Sequence, residues 1–147
     1  MFYTIIKHAH SGFRWLILIA LVSVIVLAVV KLTGKKTYSA TVKKIGLLGL
    51  IFSHIQLLLG LVLYFISGKV VFSGESMKSD LLRFFLVEHI GLMIIGVVFI
   101  TFGYSKAKKA VSDESKLRTT LIFYGLGLLI ILLGIPWPWQ QYAAAWF

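Results

Sequence analysis

Seven polar side chains lie in or at the edges of the long apolar stretches of this sequence, and they are the residues that could carry chemistry. They are His8, His10, Arg14, His54, Gln56, Glu88 and His89. Imidazole binds haem iron and other transition metals, and a guanidinium binds a carboxylate through two parallel hydrogen bonds. The chain has no cysteine, which excludes thiolate metal sites, iron–sulfur clusters and covalently attached haem. The available chemistry is therefore noncovalent haem binding, a histidine-based metal site or hydrogen bonding between helices.

Four apolar runs are the elements that must position these side chains. Of the 147 residues, 59% are hydrophobic, and the mean hydropathy of +0.96 excludes a disordered chain and is far from that of a soluble domain. A membrane-crossing helix needs ~20 mostly apolar residues. The runs predict membrane helices at about 5–31, 45–67, 82–104 and 119–136. We therefore expect an all-α membrane protein in which residues 1–147 form one domain, a four-transmembrane-helix up-down-up-down bundle.

The basic residues indicate how this bundle is oriented. The net charge is +10, from 15 Lys and Arg against 5 Asp and Glu. Ten of the 15 basic residues lie in the first and third connections, which share one side: Lys31, Lys35, Lys36, Lys43, Lys44, Lys106, Lys108, Lys109, Lys116 and Arg118. The positive-inside rule makes this side cytoplasmic and both termini external. The expected location is a bacterial inner membrane with periplasmic termini, and nucleic acid is not an expected partner.

The depth of each polar side chain follows from the rise of ~1.5 Å per helical residue. Measured from the helix midpoints, His10 lies ~13 Å and His89 ~8 Å toward the external side, whereas His54 lies ~4 Å toward the cytoplasm. Helices one and three are diagonal neighbours in such a bundle, and cofactors bind in bundle cores. We therefore expect His10 and His89 to ligate the iron of one haem b, with Arg14, one turn from His10, on a haem propionate. Gly96, two turns from His89, is expected to leave room for the flat ring.

Each of these residues also has a simpler interpretation. Arg14 and Glu88 are predicted at nearly the same depth and could form an ion pair. His10 could be an interfacial residue exposed to water, and His54 could donate a hydrogen bond to a neighbouring helix. His10, His89 and Glu88 could bind copper or zinc, although adjacent residues on a helix point ~100° apart. The sequence contains no catalytic-triad or phosphate-loop pattern, which disfavours a hydrolase or a kinase.

Four short motifs follow one another along the chain. They are His8-Ala9-His10-Ser11-Gly12-Phe13-Arg14-Trp15, Ser53-His54-Ile55-Gln56-Leu57-Leu58-Leu59-Gly60, Arg83-Phe84-Phe85 with Glu88-His89, and Pro136-Trp137-Pro138. In this order they resemble a family of small four-helix bacterial membrane proteins, common in Bacteroidota-type genomes and usually labelled cytochrome B. The resemblance implies an inner-membrane protein with haem b in a respiratory context. It also implies that His54 belongs to the functional set.

Two classes of function are open at this point. The first is a membrane-embedded b-type cytochrome-like protein that transfers single electrons in or beside a respiratory chain, to or from a quinone. Such a chain is a redox protein and not an enzyme in the usual sense. The second is a cofactor-free accessory subunit of a larger membrane complex, in which the polar groups join helices by hydrogen bonds. The lipid bilayer is a partner in both, and a homodimer that shares a site across its two-fold axis is a further arrangement.

Overall fold

The computed structural model describes residues 1–142, and within them the chain forms four long helices joined by short connections. The helices are α1 (Phe2–Thr33), α2 (Ala40–Ile66), α3 (Asp80–Lys109) and α4 (Asp113–Gly134). All four are long and apolar enough to cross a membrane. This confirms the predicted all-α fold with four membrane helices. The predicted domain, 1–147, extends past residue 142, and residues 143–147 lie outside the described part of the chain.

The helices differ from the predicted bounds mainly at the ends that carry charged residues. α2 begins at Ala40 and not at residue 45, because the Ser39 side chain caps it by accepting the Val42 N–H. α3 ends at Lys109 and not at 104, and α4 begins at Asp113 and not at 119. Long lysine side chains reach from inside a helix end to the headgroup region. Flanking charges therefore mark the expected membrane boundary and not the end of the helix.

The helices alternate in direction, each packs beside the next along the chain, and α4 packs back onto α1. α1 and α3 are therefore diagonal, as predicted. The two basic connections meet at one end of the bundle, where Lys36 Nζ lies 3.1 Å from Glu114 Oε2. There the Tyr38 N–H donates to Asp113 Oδ2 over 3.0 Å. We call this the basic end, and the opposite end, where α1 begins and α4 finishes, the terminal end.

The tightly packed core lies in the half next to the basic end. Leu21 and Val24 of α1 are completely buried there. Tyr124 of α4, also buried, donates its hydroxyl to the Gly46 carbonyl of α2 over 2.8 Å. Buried side chains are sparser in the terminal half, where Arg14, Ile17 and Phe84 are the buried members of α1 and α3. The bundle is therefore solid at its basic end and leaves room between the helices at its terminal end.

Glycines bring α3 and α4 into close contact. A Cβ atom on Gly96 would lie 2.8 Å from Ile131 Cγ1 and 3.2 Å from the Gly127 carbonyl oxygen, and one on Gly103 would lie 2.5 Å from Phe123 Cβ. Small residues at membrane-helix interfaces allow such close packing, because apolar side chains gain little by leaving lipid. The expectation that Gly96 makes room for a flat ring is therefore wrong. The space beside Gly96 is filled by α4.

Replacing Gly103 by alanine should destabilise the bundle by about 1–3 kcal/mol, the usual cost of overpacking a filled interior, because the added methyl group meets Phe123 and Tyr124. Gly91→Ala on the same helix is the matched control, since a Cβ there meets nothing within 4 Å. Reversible unfolding in mixed detergent micelles measures both free energies. Equal stability of the two variants would contradict the close packing of α3 on α4.

Candidate functional site

A cavity of about 270 Å³ lies in the terminal half of the bundle and is lined by all four helices. Its polar lining includes His10, Arg14, Gln56, Tyr64 and His89, and its apolar lining includes Ile17, Leu57, Met93, Val97 and Ile131. We call this space the histidine cavity. It brings together three of the four site residues expected from the sequence, namely His10, Arg14 and His89.

His10 and His89 meet in this cavity from the diagonal helices α1 and α3. Their ring centroids are 6.4 Å apart and their planes are inclined at 75°. Two imidazoles that bind one metal ion from opposite sides have their bonded nitrogens ~4 Å apart, given metal–nitrogen bonds of ~2 Å. The ring centres lie slightly farther out on each side. The observed separation therefore has the size that two axial ligands of one metal ion require.

The imidazole of His89 is fixed by a hydrogen bond to the end of α4. Nδ1 lies 2.7 Å from the carbonyl oxygen of Gly134. Because a carbonyl oxygen can only accept, Nδ1 carries the proton, and the neutral ring keeps its lone pair on Nε2. Metal-binding histidines are commonly oriented in this way by a backbone carbonyl. The contact thus leaves His89 in the tautomer that can bind a metal.

The carbonyl of Gly134 is free to accept this bond because α4 stops there. In a continuing helix it would accept the N–H of residue 138, but residue 138 is proline and has no N–H. Gly134 also lacks a side chain, and a Cβ there would lie 2.5 Å from Met93 Cε and 2.9 Å from Leu92 Cβ. The end of α4 can therefore approach α3 closely. The proline at residue 138 thus leaves the Gly134 carbonyl available to His89.

His10 is positioned by two residues of α2 that are one helical turn apart. The Gln56 side-chain amide donates to the His10 carbonyl over 2.8 Å. Gly60 makes room for the imidazole, since a Cβ there would lie 3.1 Å from His10 Cε1. Within the described chain, His10 Nδ1 and Gln56 Oε1 are buried and have no hydrogen-bond partner. Buried polar atoms of this kind call for a ligand or a water molecule.

The histidine cavity is cationic. Arg14 lies one turn from His10, lines the cavity and is 8% exposed, and Lys7 and Lys69 line the cavity as well. No carboxylate side chain lines it. All five carboxylate side chains of the chain pair with cations elsewhere: Glu75 with Lys78, Asp80 and Glu88 with Arg83, Asp113 with Lys116, and Glu114 with Lys36 and Arg118. Among the described residues, the charged side chains that line the cavity are therefore all cationic.

The Glu88 side chain takes neither of the two roles considered for it in the sequence analysis, pairing with Arg14 and binding a metal with His10 and His89. Its carboxylate accepts from Arg83 Nε over 2.8 Å, so the interpretation that Glu88 pairs with Arg14 is wrong. No group of three or more His, Asp or Glu residues within 1–142 is placed to hold a metal ion. Glu88, bonded to Arg83, does not join His10 and His89 in such a group. The described residues supply two facing ligands and not three.

His54 and His8 lie outside the histidine cavity. The His54 side chain is exposed near the middle of α2, and its Nδ1 lies 2.9 Å from the Leu50 carbonyl of the same helix. It therefore neither joins His10 and His89 nor bonds to a neighbouring helix. His8 is exposed as well. The structure thus separates the expected set His10, Arg14, His54 and His89 into three residues that share a cavity and one that faces outward.

Comparisons with known proteins do not indicate a function for this chain. No family model matches the chain, and no curated protein or solved structure matches it either. The class that fold and site define is a four-helix bundle of membrane-span type, with two histidines meeting in a cationic cavity at its terminal end.

Proposed function

We propose that this chain is a membrane-embedded b-type cytochrome-like protein that binds one haem b between His10 and His89 and transfers single electrons. The observation that carries the proposal is the meeting of these two imidazoles, 6.4 Å apart, in a cavity within a bundle of membrane-span helices. The sequence predicted the same pair, from depth along the helices and from the diagonal placement of α1 and α3. His54 is not part of this proposal, because it faces outward.

The donor set of the histidine cavity suits haem better than a bare metal ion. A protein site for zinc normally needs three or four ligands from the chain. Haem brings four nitrogens of its own and asks the protein for one or two axial ligands. His10 and His89 would be two such ligands, and no third lies beside them among the described residues. The cations at the cavity also match a molecule with an apolar body and carboxylate groups.

When bound, haem supplies a one-electron couple of iron. The chain's own residues would tune and protect it. The bond from His89 Nδ1 to Gly134 orients that ring and raises its basicity as a ligand. Arg14 would bind a propionate by paired, charge-assisted hydrogen bonds. The apolar lining, including Met93 and Val97, would exclude water and lower the local dielectric.

The electron partner that we propose is a membrane quinone. The connections between the four helices are short, the longest being the stretch between Ile66 and Asp80. They leave little surface on which a soluble redox protein could dock. A lipid-soluble carrier can instead reach the bundle from the side, between the helices.

We also propose that the protein lies in a bacterial inner membrane with its basic end in the cytoplasm, because that end holds most of the basic residues. The chain has no cysteine, so single cysteines report topology directly. Met77→Cys, in the connection between α2 and α3, should react with a membrane-impermeant maleimide in intact cells. Lys35→Cys, at the basic end, should react only after lysis. The reverse pattern would overturn the orientation.

A second candidate function, an accessory subunit of a larger complex or a homodimer, has one observation in its favour. The exposed imidazole of His54 lies near the middle of a membrane-span helix, where a polar group facing lipid is costly. A helix of a partner chain or of a second copy would cover it. In that case the protein would copurify with its partner in mild detergent and carry no haem.

A reduced-minus-oxidised visible spectrum of the purified protein, expressed with ample haem, tests the first function against the second. We expect a b-type spectrum from the wild type and its loss in His10→Ala and His89→Ala. His54→Ala and His8→Ala are the matched controls and should keep it, because both side chains lie outside the cavity. Absence of haem from the wild type would overturn the proposed function. Loss of haem in His54→Ala alone would overturn the ligand assignment.

The proposed contact between Arg14 and a haem propionate can be tested by removing the charge from the arginine or from the haem. Arg14→Gln should weaken haem binding about ten- to hundredfold, the range for a lost hydrogen bond between charged groups. Haem dimethyl ester, which lacks the propionate charges, should bind the wild type and the variant with similar affinity. Soret titrations of the haem-free protein measure all four combinations. Equal weakening of both ligands would place Arg14 away from the propionates.

A further inference from the structure

The helix that carries His89 is interrupted just before this residue. Residues Phe84–Glu88 form a π-helical turn between the α-helical segments Asp80–Arg83 and His89–Lys109. In this turn the His89 N–H donates to the Phe84 carbonyl, five residues back, where an α-helix would bond four residues back. Such turns are rare and occur frequently at functional sites. Its position directly before a candidate ligand therefore calls for an explanation.

The wide turn places two aromatic rings against the His89 imidazole. The Phe84 and Phe85 ring centroids lie 5.9 and 6.0 Å from it. In an α-helix a residue four positions away shares the face of His89, whereas one five positions away points elsewhere. The i→i+5 bond brings Phe84 beneath His89 in addition to Phe85. The imidazole is thereby held between its two phenyl neighbours and its hydrogen bond to Gly134.

A side chain of α2 engages the same turn. The Tyr64 hydroxyl donates to the Leu86 carbonyl over 2.9 Å, and Leu86 is the central residue of the π turn. Tyr64 is itself packed against Phe65 and Phe72, whose ring centroids lie 5.6 and 5.7 Å from its own. α2 and α3 pack more sparsely on each other than the other neighbouring helix pairs. The hydrogen bond of Tyr64 therefore joins α2 to α3 across the most sparsely packed interface between neighbouring helices.

We infer that Tyr64 is a positioning residue for His89, acting by holding the π turn of α3 open through its bond to the Leu86 carbonyl. This inference rests on the proposed haem site. Without the hydroxyl, the Leu86 carbonyl loses its hydrogen bond from Tyr64. The segment can then adopt an ordinary α-helical register in place of the π turn. That register would rotate Phe84 by ~100° about the helix and free the His89 ring on one side. His89 would then be held less firmly as a ligand for the iron of a bound haem.

The test compares Tyr64→Phe with Tyr124→Phe. Both substitutions remove a tyrosine hydroxyl that donates to a helix carbonyl of another helix, over 2.9 Å and 2.8 Å respectively. Tyr124 lies in the packed core of the other half of the bundle, so its loss costs stability without touching His89. Carbon monoxide binds ferrous haem only where an axial histidine has left. We expect Tyr64→Phe to raise carbon monoxide binding about threefold, the factor for an average interhelical hydrogen bond in a membrane, and Tyr124→Phe to leave it unchanged.

A measurement on the haem-free protein separates this inference from the proposed function. In ¹⁵N-histidine NMR, Tyr64→Phe should shift the ring resonances of His89, assigned with His89→Ala, while Tyr124→Phe should not. Equal carbon monoxide binding and unshifted His89 resonances in Tyr64→Phe would overturn the inference even if the wild type binds haem. If the wild type takes up no haem but Tyr64→Phe still shifts the His89 resonances, the positioning role is supported while the haem proposal fails.

Discussion

The hydrogen bond between His89 and the carbonyl of Gly134 is the contact on which the arrangement of the site depends. It joins the terminal half of the bundle's third helix to the last residue of the fourth, over 2.7 Å. It sets the tautomer of the ring, because the carbonyl can only accept. It also uses a carbonyl that Pro138 leaves without a helical donor. One bond therefore satisfies a backbone group, orients a candidate ligand and closes the terminal end of α3 against α4.

The two halves of the bundle differ in how tightly they are packed. The half next to the basic end is filled by side chains and by close glycine contacts, such as those of Gly103 with Phe123. The terminal half keeps a cavity of about 270 Å³ whose polar groups come from α1, α2 and α3. Packing at one end can thus hold the four helices in register while the other end stays open to a ligand. A site built on rigid helices is positioned more precisely than one built on loops.

Much of the fold could be predicted from the sequence, because helix length and hydropathy are read directly from it. The pairing of His10 with His89 in space could also be predicted, since depth along a helix fixes which residues of diagonal helices can meet. The prediction for Gly96 was wrong because the sequence shows which face of α3 carries this residue but not what packs against that face. In the structure α4 packs there. His54 lies near the middle of α2 but points outward, which depth alone cannot decide.

Other parts of the site depend on register between helices and were not predicted. Gly60 matters because it lies opposite His10, and Tyr64 because it reaches the Leu86 carbonyl. The π turn before His89 has no strong local signal in the sequence. One signal was present, however. A proline four residues after Gly134 indicates a helix carbonyl in need of a donor, and histidine is a common donor to such groups.

Low-temperature electron paramagnetic resonance of the oxidised, haem-loaded protein shows whether His10 and His89 bind the same iron, since the signal depends on both axial ligands. The planes of His10 and His89 are inclined at 75°, so we expect a low-spin ferric signal of the strongly anisotropic kind that non-parallel imidazoles produce. The signal should vanish in His10→Ala and in His89→Ala. A high-spin signal from the wild type, or a low-spin signal that persists in both variants, would contradict the binding of one iron by these two histidines.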